Sequence, residues 1–224
     1  MFNSLQDILN ELSPLANETT QRIYTKQGIQ EKVLGINKGP LRKLALKIKT
    51  NHKLGLELWE SNIFEARIIS SMILDPAQLD ITSLGDLIRQ STSTMVIDEL
   101  TFGIFESIKD PETYIDQWMN HPDLRLQRSA WNMAIVLIHR KKLPDQEMED
   151  LYKIIEEKLL STEPIVQYEM NRCLCEIGIT HPKFTERCLA LGERLGLYKE
   201  MKVSKGCTSP YAPDWINAVL RRNA

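Results

Sequence analysis

The sequence predicts an all-α protein built as a stack of short antiparallel helix pairs. Three observations predict it. Apolar residues recur three and four positions apart along most of the chain, and no pair of alternating runs around a tight turn signals a β-hairpin. Prolines also fall at regular intervals where helices begin, in DPAQ, DPET, HPDL, LPDQ, EPIV, HPKF and APDW. A proline in the first turn pre-sets φ and wastes no backbone donor, so it suits a chain that enters one helix after another.

The elements follow in order. Ser4 and Asp7 form a capping-box pattern ahead of the stripe Leu5, Ile8, Leu9, Leu12. A second helix runs from about Asn17 to Lys26, ending near Gly28, and the irregular GIQEKVLGINKG follows as a loop. Pro40 opens a third helix with the stripe Leu41, Leu44, Ala45, Ile48. Further helices are expected over His52–Ser61, Ile63–Leu74, Thr82–Gln90, Thr94–Ile108, Pro111–Met119, Pro122–Lys141, Pro144–Leu160, Pro164–Ile179 and Pro182–Gly196, with a terminal helix from Pro213. At about 35 to 40 residues per pair this is the regime of HEAT-like repeats. The expected architecture is an α-solenoid of HEAT-like antiparallel helix pairs with one concave face, forming a single domain over residues 1–224. An irregular helical bundle is the alternative, and the number of helices favours the stack.

The net charge of −2 hides a strong polarity. Between Arg22 and Lys53 nine basic residues, among them Lys38, Arg42 and Lys43, face Glu31 as the single acid, a balance of +8 that leaves −10 for the rest of the chain. Leu143 to Glu169 carries eight acids and two lysines. Such segregation fits a basic surface for a polyanion with an acidic back; a solvated helix face fits the same charges. The N-terminal MFNSLQDILNELSPLAN lacks a basic segment followed by an apolar run, and no stretch approaches the roughly 18 apolar residues of a membrane span. The expected location is cytoplasmic, away from any membrane. Cys173, Cys175, Cys188 and Cys207 make no C-x-x-C pattern, and Cys173 and Cys175 point about 200° apart on a helix, so they read as isolated thiols.

One carboxylate stands out. In TMVIDELTFGIF, Met95, Asp98, Phe102 and Phe105 share a stripe, while Glu99 and Glu106, seven apart, form the wet side. An acid on the apolar side costs free energy unless it is paired. Two readings remain open: Asp98 satisfies the helix start or a neighbouring helix, or it lines a groove and stabilises positive charge on a ligand. Arg125 and Arg128 share a face at the start of HPDLRLQRSAWNMAIVLIHRKK and suit either phosphates or neighbouring acids. In YEMNRCLCEIG, Tyr168, Arg172 and Cys175 lie on one face against Met170, Leu174 and Ile177, and an arginine in such company needs an acid or phosphate partner. EMKVSKGCTSPYAPDWI is a broken basic loop with Lys202 and Lys205, fit to hold a phosphate backbone or to cap the stack. Phosphate-loop, nucleophile-elbow, dinucleotide and zinc-helix signatures are absent, and His52, His121, His139 and His181 are scattered.

The segments GPLRKLALKIKTNHKLGLELWESNIFEARIISSMILDP, TMVIDELTFGIF, RLQRSAWNMAIVLI, YEMNRCLCEIGI and KGCTSPYAPDWI together resemble the DNA alkylation repair family of AlkD-like HEAT-repeat proteins, over about Asn17 to Ile216. The resemblance implies a basic concave face holding double-stranded DNA and removal of cationic N3- and N7-alkylated purines without drawing the base into a pocket. It implies Asp98 as the aspartate that stabilises the cationic sugar, and Arg128 as an arginine that holds the backbone. It also implies two tryptophans, where this chain has Thr94 and Arg172. Taken together, the expectation is a monomeric DNA-binding protein, an alkylpurine DNA glycosylase needing no cofactor or metal, with Asp98 catalytic and Lys38, Arg42, Lys43, Arg128, Arg172, Lys202 and Lys205 on the nucleic acid. The alternative is a non-catalytic α-solenoid scaffold for branched or plain DNA, or for protein; the expected DNA partner is double-stranded, alkylated or structured.

Overall fold

Capping accounts for most helix starts. The computed structural model describes residues 2, 4–105, 112–204 and 206–223. Side chains of Ser4, Asn17, Asn51, Asp80, Ser93 and Asp123 each accept a hydrogen bond from the first turn they precede, satisfying donors that a helix leaves without partners. The helices they open are α1 (Leu5–Leu12), α2 (Glu18–Lys26), α4 (His52–Glu60), α6 (Ile81–Gln90), α7 (Thr94–Ile104) and α9 (Leu124–His139). Ser4 and Asp7 make both bonds of the capping box. The other helices are α3 (Lys38–Ile48), α5 (Phe64–Ile73), α8 (Glu112–Met119), α10 (Asp145–Lys158), α11 (Pro164–Thr180), α12 (Pro182–Leu195) and α13 (Ala212–Asn223). Pro164 and Pro182 occupy first turns. Pro40 sits third in α3, which starts at Lys38, and Pro144 lies just ahead of α10. The expected continuation of α7 to Ile108 and the start at Pro111 lie outside the described residues. Among those residues no strand forms; Lys32 and Ile63 make one isolated parallel bridge.

The chain divides into two compact units at Tyr114/Ile115. In the first, α3, α5 and α7 pack side by side, with α4 against α5, α6 against α7 and α1 against α4. The middle helix, α5, buries Phe64, Ala66, Ile68 and Ile69 together with Glu65, Arg67, Ser70 and Ser71. In the second unit α9, α10, α12 and α13 pack against α11, and α12 also packs against α13. Helix α11 is buried on most sides: Val166, Met170, Cys173, Leu174, Cys175 and Ile177 are buried together with the polar Glu169, Asn171 and Glu176. Cys175, on the same side of α11 as Tyr168 and Arg172, lies in the core. Burial pushes the thiols of Cys173 and Cys175 far up and that of Cys188 up to about 12, so these sulfurs behave as small apolar groups. Gly178 permits the close packing, because a methyl there would stand 2.9 Å from the Cβ of Cys188 and from the Cδ1 of Ile216.

Candidate nucleic-acid interface

In the first unit, a short extended strap ties the starts of α3, α5 and α7 together. It is the segment between α2 and α3 that the sequence marks only as an irregular loop. Lys32 donates its amide to Asn62 O (3.1 Å) and accepts from the Phe64 amide (2.9 Å), joining the strap to the α4–α5 turn. The carboxylate of Glu65, fully buried, accepts from three successive amides: Leu34 at 2.9 Å, Gly35 at 2.8 Å and Ile36 at 3.1 Å. Gly35 has φ +84, and a Cβ there would fall 2.2 Å from Asn17 O and 2.8 Å from Gln21 N, so glycine is required by both conformation and space.

Glu31 fixes the far end of the strap. Only 5% exposed, it accepts from Ser91 Oγ (2.8 Å), Thr92 Oγ1 (2.7 Å) and the Thr92 amide (3.1 Å), in the turn that starts α7. Arg67 Nη1 lies 3.2 Å from it and also donates to Gln90 O, while Arg67 Nε donates to Trp59 O. Burial pushes the Glu31 carboxyl up, but the hydrogen bonds from Thr92 and Ser91 outweigh that and hold it below its ordinary range. Glu31 is the lone acid of the +8 segment, and that isolation was the one sign in the sequence that it has an internal task.

This bracing sets α3 beside α7. Lys38 Nζ and Glu99 Oε1 form an ion pair, and Arg42 Nη2 lies 3.6 Å from the same oxygen. The Glu99 side chain is 19% exposed, against 33% for Lys38 and 60% for Arg42. Lys43 is exposed on the same helix. Asp98 immediately precedes Glu99. The core ridge of α7 is Val96, Ile97, Leu100, Thr101 and Ile104, and Asp98 stands at its edge, half-buried like Met95 and Phe102. Thr94, the first residue of the helix, is exposed. Beside the ion pairs a cleft of about 530 Å³ opens, lined by Arg42, Thr50, Ser71, Met72, Glu99 and Phe102 among others.

The second unit holds its arginines differently. Arg128 is 5% exposed; Nη2 meets Glu169 Oε1 at 2.6 Å and Nη1 donates to Ile165 O at 2.6 Å. Arg172 has the acid partners its surroundings called for, Glu169 at 3.5 Å and Glu176 at 3.9 Å, both on its own helix. Glu176 also meets His139 at 3.1 Å, a hydrogen bond that raises the imidazole's pKa. Arg125 pairs with Asp123 across the start of α9. Lys202 is exposed, and Lys205 lies outside the described residues. The sequence reading thus missed Glu99, Glu169 and Glu176 as partners of the very cations it singled out; each lies within a helical turn of a flagged residue, which was the available signal. Among the described residues no group of three or more His, Cys, Asp or Glu could hold a metal, and no helix is long and apolar enough to cross a membrane.

A succession of packed helices, without strands among the described residues, is the fold of a HEAT-like repeat protein. A solved structure from a new family of proteins related to the HEAT-like repeat DNA glycosylases, with affinity for branched DNA structures, shares this fold. Its TM-score is 0.84 at 20% sequence identity, over 99% of this chain and 95% of the other. The family described as DNA alkylation repair enzyme matches residues 8–216, and the chain belongs to that family. No curated protein matches the sequence.

Proposed function

We propose that this protein is a cytoplasmic monomer that binds duplex DNA, alkylated or branched, through a basic face carried by α3, and that Asp98 makes it a glycosylase for cationic N3- and N7-alkylated purines. The observation that supports this best is the meeting of Lys38 and Arg42 with α7 at the residue next to Asp98. Cations for a phosphate backbone and a carboxylate for a cationic sugar lie on neighbouring helices. Family membership and the DNA affinity of the structural relative point the same way.

The chemistry needs little from the protein. In an N7-alkylated purine the base is already cationic, so the C1′–N bond breaks with its electron pair neutralising the ring and no general acid is required. Positive charge moves onto C1′ and the ring oxygen, where the Asp98 carboxylate stabilises it. Water then adds to C1′ and loses a proton to solvent. The test is release of 7-methylguanine from methylated duplex DNA. Wild type releases it, and Asp98→Asn, isosteric and neutral, lowers the rate by on the order of 100-fold. Equal release by both proteins removes Asp98 from the reaction.

A non-catalytic scaffold for structured DNA is the second reading. Thr94 and Arg172 stand where the resemblance expects tryptophans, and Arg172 is engaged with Glu169 and Glu176. Tight, salt-sensitive binding of a four-way junction with no base release by wild type selects this reading over the first.

A further inference from the structure

We infer that Glu99 is an internal stand-in for a DNA phosphate: its carboxylate occupies the site formed by Lys38 and Arg42, and a backbone phosphate binds there by displacing it. The inference rests on the DNA-binding reading above and adds to it a residue that opposes binding.

The geometry carries it in three parts. First, one oxygen, Glu99 Oε1, serves both cations, closely for Lys38 Nζ and at 3.6 Å for Arg42 Nη2. A convergent ammonium and guanidinium around a single anionic oxygen is also the arrangement that receives a phosphate oxygen. Second, the two cations are more open to solvent than the acid. Arg42 is 60% exposed and Glu99 only 19%, so an incoming polyanion meets the cations first. Third, the place is built and not incidental. The strap fixes the starts of α3 and α7 through Glu65 and Glu31, and the cleft beside Arg42 and Glu99, with Thr50 and Ser71 on its wall, has room for a phosphodiester. Partly exposed ion pairs are weak enough to exchange, and a phosphate that replaces Glu99 puts one anion in place of another beside both cations. Glu99 therefore lowers DNA affinity and, without DNA, offsets one of the two positive charges of the site.

The experiment measures binding of a plain duplex and a four-way junction by fluorescence anisotropy over a salt series, for wild type, Glu99→Gln, Lys38→Gln/Arg42→Gln and the triple variant. Thermal melting confirms that each folds, and Glu99→Ala serves as a second variant should Glu99→Gln not fold. The expected result is binding tighter by about two- to fivefold for Glu99→Gln with a log–log salt slope steeper by about one. In the Lys38→Gln/Arg42→Gln background the same substitution gains nothing. Unchanged affinity on Glu99→Gln, with wild type binding, overturns the inference alone. An equal gain in both backgrounds also overturns it, since Glu99 then acts only as a distant like charge. Absence of binding by both wild type and Glu99→Gln at about 50 mM salt instead overturns the DNA-binding reading, and this inference falls with it.

Discussion

Arg128 shows what a single residue's surroundings decide. By sequence it reads equally as a phosphate ligand or as half of an ion pair, because one letter in a helix does not reveal which acid lies across the groove. In the fold it is buried between Glu169 and the Ile165 carbonyl. Removing it leaves a buried carboxylate short of one partner, so Arg128→Ala is expected to lower stability by about 3 kcal/mol. For a chain of this length that is a fall in Tm of roughly 6 to 12 °C. Arg128→Met combined with Glu169→Met restores much of it. An unchanged melting curve for Arg128→Ala would mean that the pair contributes nothing. Gly35 makes a second case. Gly35→Ala must move the backbone of Asn17 or Gln21 and is expected to cost about 3 kcal/mol, measured by urea titration. The place of Asp98 at the edge of the apolar side of α7 was legible, since an acid breaking an apolar stripe is visible in one dimension. Glu99 was not: seven residues from Glu106, it looks like ordinary wet surface until α3 is placed beside it.

Among the elements, the helices were legible and the strap was not. Helices announce themselves through local periodicity and caps, and most boundaries match to within one or two residues. The strap has no period, because its order comes from two acids, one at its own end and one 31 residues beyond Leu34. Its dependence on charge gives a pH prediction. The Glu31 carboxyl titrates below its ordinary value of 4.5, so its stabilising contribution is complete above that pH and is lost as the pH falls through the lower, folded value. Glu31→Gln is therefore expected to lower stability at neutral pH and to flatten the acid limb of a pH–stability curve measured by denaturant titration. A parallel acid limb in the variant counts against the role given to Glu31.

For the whole molecule, charge segregation was read from the sequence as a +8 segment against an acidic remainder; the HEAT-like class predicted by helical periodicity is the one the fold shows, and the family that the quoted segments resemble is the one the chain matches. Composition could not tell how many of those cations are committed internally. Lys38 and Arg42 share one carboxylate, whereas Lys43 is exposed. Changing Lys38, Arg42 and Lys43 to Gln is expected to weaken all duplexes alike and to reduce the salt slope by about two. A slope left unchanged would place the phosphate contacts elsewhere on the protein. At the other end of the pH scale His139, whose pKa is raised above 6.5 by Glu176, adds stability at acid pH that is lost as the pH rises through its folded value. His139→Gln removes that dependence.

The buried carboxylate of Glu65, clasping three consecutive amides, has a consequence for any nucleic acid lying over these helices. A surface anchored from beneath in this way is a caliper with its jaws locked. With Glu31 holding the other end of the strap to the start of α7, the spacing of α3 and α7 is set before any ligand arrives, so on the DNA-binding reading proposed above a duplex that spans both helices must supply the bending itself.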